Sequence, residues 1–358
     1  MIALRSTALL AIAFAGGAAL GQAPTDRVHY RTPDGKTATI TGEAKETASG
    51  VTITGADKKE TKIPPGQMLR VDYGDGNVPG IDRNAQLVAV ASESGIDIAK
   101  AVAAYTALLK TATSAKAKRY AGFREIMFKV KDNDQKLGDD YKKDAPALAA
   151  KCLAYANEQK ASWESWIVAR TAARIFCELG DLKAATAAAR VLTSNAGLSA
   201  ELKVEAKFCE LAYMFREGDF GGARLLQAEV QKEAVAPGQA DRARMYEAAL
   251  KVLPPPAAAE GMAPAKPAEA VAALEKLLNE TKDPIARSCG YAILGELYIA
   301  YKLPREALWA YLWVDAVYNQ DRDEQVKAVT RLIELFEVLK EKDRVEQFTD
   351  RLPKVRSS

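Results

Sequence analysis

Ile175-Phe176-Cys177-Glu178-Leu179-Gly180-Asp181-Leu182, followed by Ala185, is the stretch whose reading decides the fold. Gly180 is well placed to end a helix in the left-handed backbone conformation, which costs glycine nothing because it has no Cβ. Asp181 can cap the next helix at once, and the small Ala185 lets that helix lie close to the first. The stretch therefore reads as a helix, a tight turn and a second, antiparallel helix. It recurs as Phe215-Arg216-Glu217-Gly218-Asp219-Phe220, followed by Ala223. Leu294-Gly295-Glu296-Leu297-Tyr298 leads to Tyr301-Lys302-Leu303-Pro304, then Ala307 and Tyr311. Leu332 to Phe348 has the same layout, with Lys342-Asp343 expected at its turn. Recurrence of one helix pair predicts a stack in which each pair buries its apolar face on the next.

Working outward, the helical period holds from about residue 86 to 350, where alanine is common and about a dozen helices are expected. Asp144 before Ala145-Pro146, Ser199, Asp283 before Pro284, and Asp321 with Glu324 read as helix starts. Residues 254–267, rich in Pro and Ala, read as a linker between helical blocks at 86–253 and 268–352. Upstream, residues 26–74 alternate with period two in five short runs, and 75–85 is a linker. The expected fold class is mainly α: an α-solenoid of antiparallel helix pairs preceded by a small five-stranded β barrel-like module. About fifty residues make only a marginal core, so the module is expected to dock on the helices.

The recurring segments resemble tetratricopeptide repeats. That family carries a Leu-Gly pair and an aromatic on the first helix, a turn residue, and a small residue on the second helix. The resemblance implies a concave groove that binds a peptide or helix of a partner protein. It places Arg170, Arg174, Glu178 and Glu296 in the groove, with Arg170 and Arg174 engaging partner carboxylates. Residues 26–74 resemble the SH3-like barrels at the front of some bacterial exported proteins.

Residues 1–21 read as a secretory signal: Arg5, an apolar run from Ala8 to Leu20, and small residues before an expected cleavage at Gln22. An exported protein of the periplasm or cell envelope is the expectation, attached to a membrane only if that segment is kept. The formal charge of +3 in 358 residues does not point to nucleic acid. Lys116, Lys118, Arg119, Arg124, Lys129 and Lys131 form a local basic stretch that reads as solubilising charge. Cys152, Cys177, Cys209 and Cys289 are scattered over helices and read as buried thiols.

Little in the chain spells out chemistry. The single histidine, His29, lies in the first strand, far in sequence from any cysteine. No clustered zinc ligands occur, and Gly74 to Gly80 lacks the Gly-Lys-Ser/Thr that cradles phosphate. Asp132-Asn133-Asp134 fails as a calcium loop because Lys136 and Lys143 stand where acceptors are needed. No catalytic residue, cofactor or metal is therefore assigned. Trp163 with Trp166, and Trp309 with Trp313 beside Val317, read as core packing between repeats. The expected function is a non-enzymatic protein-interaction scaffold of the envelope. The alternatives are an accessory subunit or envelope enzyme whose β module recognises a wall polymer or substrate, and a self-associating structural subunit.

Overall fold

The computed structural model describes residues 25–32, 35–74, 78, 80–94, 97–254 and 267–357. The expected signal segment lies outside them, as do most of the 254–267 linker and part of the 75–85 linker.

Five strands come first: β1 (Asp26–Arg31), β2 (Thr37–Thr47), β3 (Gly50–Thr54), β4 (Glu60–Ile63) and β5 (Met68–Asp72), with a 3-10 turn at Pro65–Gln67. They form one antiparallel sheet in the order β4-β3-β2-β1-β5. β2 pairs with β1 up to Gly42 and with β3 from Glu43 on. A Cβ at Gly42 would lie 2.2 Å from the Thr54 carbonyl oxygen, so only glycine fits where the strand changes partner.

Fourteen helices follow among the described residues. They are α1 (Arg83–Ser94), α2 (Ile98–Thr111), α3 (Ala115–Asp134), α4 (Gly138–Glu158), α5 (Glu164–Glu178), α6 (Leu182–Thr193) and α7 (Ala200–Glu217). Then come α8 (Phe220–Glu233), α9 (Pro237–Leu250), α10 (Ala268–Glu280), α11 (Pro284–Ala300), α12 (Pro304–Ala316), α13 (Arg322–Val338) and α14 (Lys342–Ser357). Neighbours in sequence pack on one another throughout, which makes the chain an α-solenoid behind a small β module.

Four of the turns between paired helices share one hydrogen-bond pattern. The N–H groups of Asp181, Asp219, Leu303 and Glu341 donate to the carbonyls of Phe176, Met214, Tyr298 and Phe336, at 2.9 to 3.0 Å. Each bond reaches back five residues and satisfies a helix-end carbonyl. The residue before each donor is left-handed: Gly180, Gly218, Lys302 and Lys340. The first two are 38 residues apart, and so are the last two. The last turn is thus at Lys340, and Lys342 and Asp343 already belong to α14. Asp181, Asp219, Ser199, Asp283 and Asp321 all cap helices as expected. Asp144 does not. α4 runs unbroken through Pro146, and Asp144 accepts instead from Lys136 at 2.9 Å.

Small residues set the spacing between partners. Ala185, Ala223 and Ala307 are completely buried. A Cβ on Gly295 would come within 2.6 Å of the Tyr311 ring, so α11 and α12 touch through that glycine. One apolar core joins the sheet, through Val28, Val51 and Ile53, to residues of α3–α7 such as Phe123 and Trp166. Another runs from α7 to α12, across the linker expected at 254–267. The helical blocks on either side of that segment therefore share one interior.

Glu46 fastens the sheet to the helices. Its carboxylate accepts from the Tyr73 hydroxyl at 2.7 Å, from Arg119 at 2.6 Å and from the Trp163 indole at 2.9 Å. At the other end, α13 packs against α5 and α14 against α3. The array curls until its last pair meets its early helices.

Gly295→Ala is expected to lower stability by about 1–3 kcal/mol by overpacking against Tyr311. Gly221→Ala, where an added methyl meets nothing closer than 3.8 Å, is expected not to. Urea unfolding of the two variants checks this.

Candidate functional site

Curling of the array encloses a cavity of about 340 Å³. Its walls are mainly the first helices of successive pairs: α5, α7, α9, α11 and α13. Trp166, Phe208, Tyr213, Tyr246, Ile293 and Tyr311 supply apolar surface. The 3-10 turn of the β module adds Pro64 and Gly66. Sheet and helices thus contribute to one wall.

Charges in this wall are tied together between helices. Arg170 on α5 reaches Asp321 at 3.0 Å and Asp323 at 2.9 Å at the start of α13. Arg242 on α9 holds Glu205 on α7 with both terminal nitrogens and lies 4.1 Å over the Phe208 ring. Arg331 on α13 makes a two-pronged contact to Glu296 on α11 at 2.8 and 2.7 Å, and the Tyr311 hydroxyl donates to the same carboxylate at 2.6 Å. Arg216 on α7 reaches Glu334 on α13 at 3.0 Å. Lys327 pairs with Glu324 at 2.7 Å and lies 4.4 Å from the centre of the Tyr213 ring. The lining holds five cations, Arg170, Arg216, Arg242, Lys327 and Arg331, against the carboxylates of Glu205, Glu296, Asp321 and Glu324. The Nε groups of Arg216 and Arg242 are buried and find no acceptor among the described residues.

The environment holds Glu205 and Lys327 in their usual charge states. Burial opposes the charge on Glu205, but hydrogen bonds from Arg242 outweigh it and lower the carboxyl pKa. Burial likewise opposes Lys327, yet the Glu324 carboxylate raises its pKa well above the ordinary lysine value. Burial pushes the Cys289 thiol up to about 12 and raises Cys209 as well.

Of the four residues expected in the groove, Arg170 and Glu296 line the cavity, and Arg174 and Glu178 do not. Arg174 is 1% exposed and Glu178 is buried beside it. Arg174 donates to both oxygens of Asp134 on α3 at 3.0 Å and to Glu178 at 2.8 Å. Glu178 in turn accepts from Arg356 on α14 at 2.6 Å, and the Arg356 guanidinium lies 3.6 Å over the Tyr141 ring. Arg322 on α13 reaches Asp134 at 3.3 Å. A partner carboxylate would have to displace two buried ones to reach Arg174. The pair joins α5 to α3 and α14, away from the cavity. The sequence carries no sign of this, because Arg170, Arg174 and Glu178, four residues apart, form one polar stripe on an amphipathic helix, the pattern of a solvated face.

Other expectations sort in the same way. Trp163 and Trp166 are buried as read. Trp309 is 67% exposed, Trp313 45% and Val317 44%, contrary to the core reading, because Ala307, Ala310, Tyr311 and Val314 form the inward face of α12. His29 sits on the sheet, where Nε2 meets Asp72 at 2.8 Å and Nδ1 meets the Thr39 hydroxyl at 2.9 Å. It is not among the cavity residues. The basic stretch is partly consumed inside: Arg119 by Glu46 and Glu164, Lys129 by Glu125, and Lys116 over the Tyr73 ring at 3.6 Å. All four cysteines are free thiols; Cys152 and Cys177 are buried as expected, and Cys209 and Cys289 are half-buried. Among the described residues no group of ligands could hold a metal ion, and no helix is long and apolar enough to cross a membrane.

In comparisons with known proteins, no family model matches the chain and no curated protein matches it.

The raised thiols give a measurable consequence. At pH 8 a thiol with a pKa near 12 is ionised about a thousandfold less than one near 9. Cys152 and Cys289 are therefore expected to resist iodoacetamide in the folded protein and to react in urea, as mass spectrometry will show. The same shifts set a sign for stability. Between pH 9 and 12 the unfolded chain has lost protons that the folded chain keeps, so stability falls as pH rises through that window.

Proposed function

We propose that the protein is a non-enzymatic interaction module of tetratricopeptide type, which takes a short extended segment of a partner protein into the central cavity. The observation that carries this reading is the composition of the cavity wall. Successive first helices line it with apolar and aromatic side chains, and its charges are already paired. Such a wall offers burial to apolar side chains of a partner. A volume of about 340 Å³ admits a few side chains of an extended chain. Four turns of one hydrogen-bond pattern, two pairs of them 38 residues apart, support the repeat assignment. Pro64 and Gly66 in the wall give the β module a part in the same site.

Ala212 lines the cavity and is half-buried, so a large side chain there fills the space without replacing a core residue. Peptides selected from a random library on the intact protein are expected to bind the Ala212→Trp variant at least tenfold more weakly, with an unchanged unfolding midpoint. Equal binding to both proteins contradicts the proposal.

A further inference from the structure

A second concavity lies on the outer side of the array, over α10, α11 and α12, and shares no lining residue with the central cavity. It measures about 430 Å³. Tyr291 and Tyr298 of α11 and Trp309 and Trp313 of α12 provide four aromatic rings. Tyr291 stacks on Trp313 with ring centres 5.6 Å apart and an interplanar angle of 15°, and on Tyr318 at 5.4 Å and 15°. These stacks fix Tyr291, Trp313 and Tyr318 against one another although Trp313 is half exposed, and Trp309 on the same helix is more exposed still. Solvent-facing aromatics held by one another, on a helix whose inward face is already filled, are a surface built to be covered.

The charge of this surface identifies what covers it. Its ionised groups are Glu275 and Glu306. Both are exposed, and neither forms an ion pair with another described residue. They lie close enough to the rings to act on them: burial first, then the negative charge of these two carboxylates, raises the Tyr298 hydroxyl pKa. Aromatic faces carry negative potential and attract cations, guanidinium above all, and the two carboxylates add to that attraction.

We propose that this outer groove docks a basic segment of a partner protein, with an arginine side chain laid against the Trp309 and Trp313 rings and its guanidinium facing Glu275 and Glu306. The central cavity and the outer groove then take different chemistries, and failure of one reading leaves the other standing.

The exposed tryptophans allow a direct test, because Trp163 and Trp166 are buried and Trp309 and Trp313 are not. The intact protein is titrated with acetyl-(Arg-Ala)3-amide while tryptophan fluorescence is followed. Matched (Glu-Ala)3 and (Ser-Ala)3 peptides and cellohexaose serve as the other probes. Saturable quenching by the arginine peptide alone is expected. It should weaken at least tenfold in Trp309→Ala and in the Glu275→Gln/Glu306→Gln double variant, and weaken further with added salt. These substitutions are at exposed positions, and circular dichroism confirms the fold of each variant. Binding of the serine or glutamate peptide equal to that of the arginine peptide overturns the proposal. So does saturable binding of cellohexaose alone, which would make the groove a glycan site. A dimer that Trp309→Ala dissociates, with no peptide binding, overturns it in favour of self-association.

Discussion

A guanidinium sealed inside protein must be paired, because removal of a charge from water costs far more than a folded domain can lose. Arg174 meets this constraint with Asp134 from α3 and Glu178 from its own helix, and Glu178 is shared with Arg356 from α14. The partners come from opposite ends of the helical region. Asp134 also holds Arg322 of α13, and Arg170 one turn away holds Asp321 and Asp323. The last helix pair is thus bound to α3 and α5 by directional contacts that no other register of the array would satisfy. Hydrophobic packing alone would tolerate a sliding or splayed end. Buried charge does not, and its contribution is to specify one closed geometry more than to add net stability.

Closure turns a row of helix pairs into a walled space. The small residues at Ala185, Ala223, Gly295 and Ala307 bring partners close, and the left-handed turns reverse the chain in the fewest residues. The pairs then curve, and the first helices converge on the interior. Ion pairs between Glu205 and Arg242, Glu296 and Arg331, and Arg216 and Glu334 brace neighbouring and facing helices around it. The β module plugs in beside α5 through Glu46 and the 3-10 turn. The cavity is therefore a product of the whole chain, not of one repeat.

The helix pairs were legible where local chemistry dictates them. Gly180 and Gly218 mark turns because glycine alone adopts that backbone freely, and Asp181, Asp219, Asp283 and Asp321 mark helix starts because a carboxylate satisfies free N–H groups. Lys302 and Lys340 make the same turn with no such sign. Their conformation is imposed by the packing of the helices they join. Closure was not legible, since Glu178 and Arg356 are 178 residues apart and nothing local links them. Arg174 lies away from the cavity for a related reason. Charge on a repeat helix suggests a solvated face, but distant residues of α3 and α14 cover this one. Trp309 and Trp313 were misplaced in the opposite sense. Large aromatics suggest a core, yet Ala310 and Val314, each one position on, already occupy the inward face of α12.

The closed array requires contact between its two ends, and a double-mutant cycle in equilibrium unfolding measures it. Glu178→Ala and Arg356→Ala each remove one partner of a buried pair. Each alone is expected to destabilise the protein by about 3–5 kcal/mol. Together they should fall short of the sum by about 1.5–3 kcal/mol, the coupling expected of residues in one network. Effects that add to within about 0.5 kcal/mol would mean that α5 and α14 do not meet, and the closed array would be wrong.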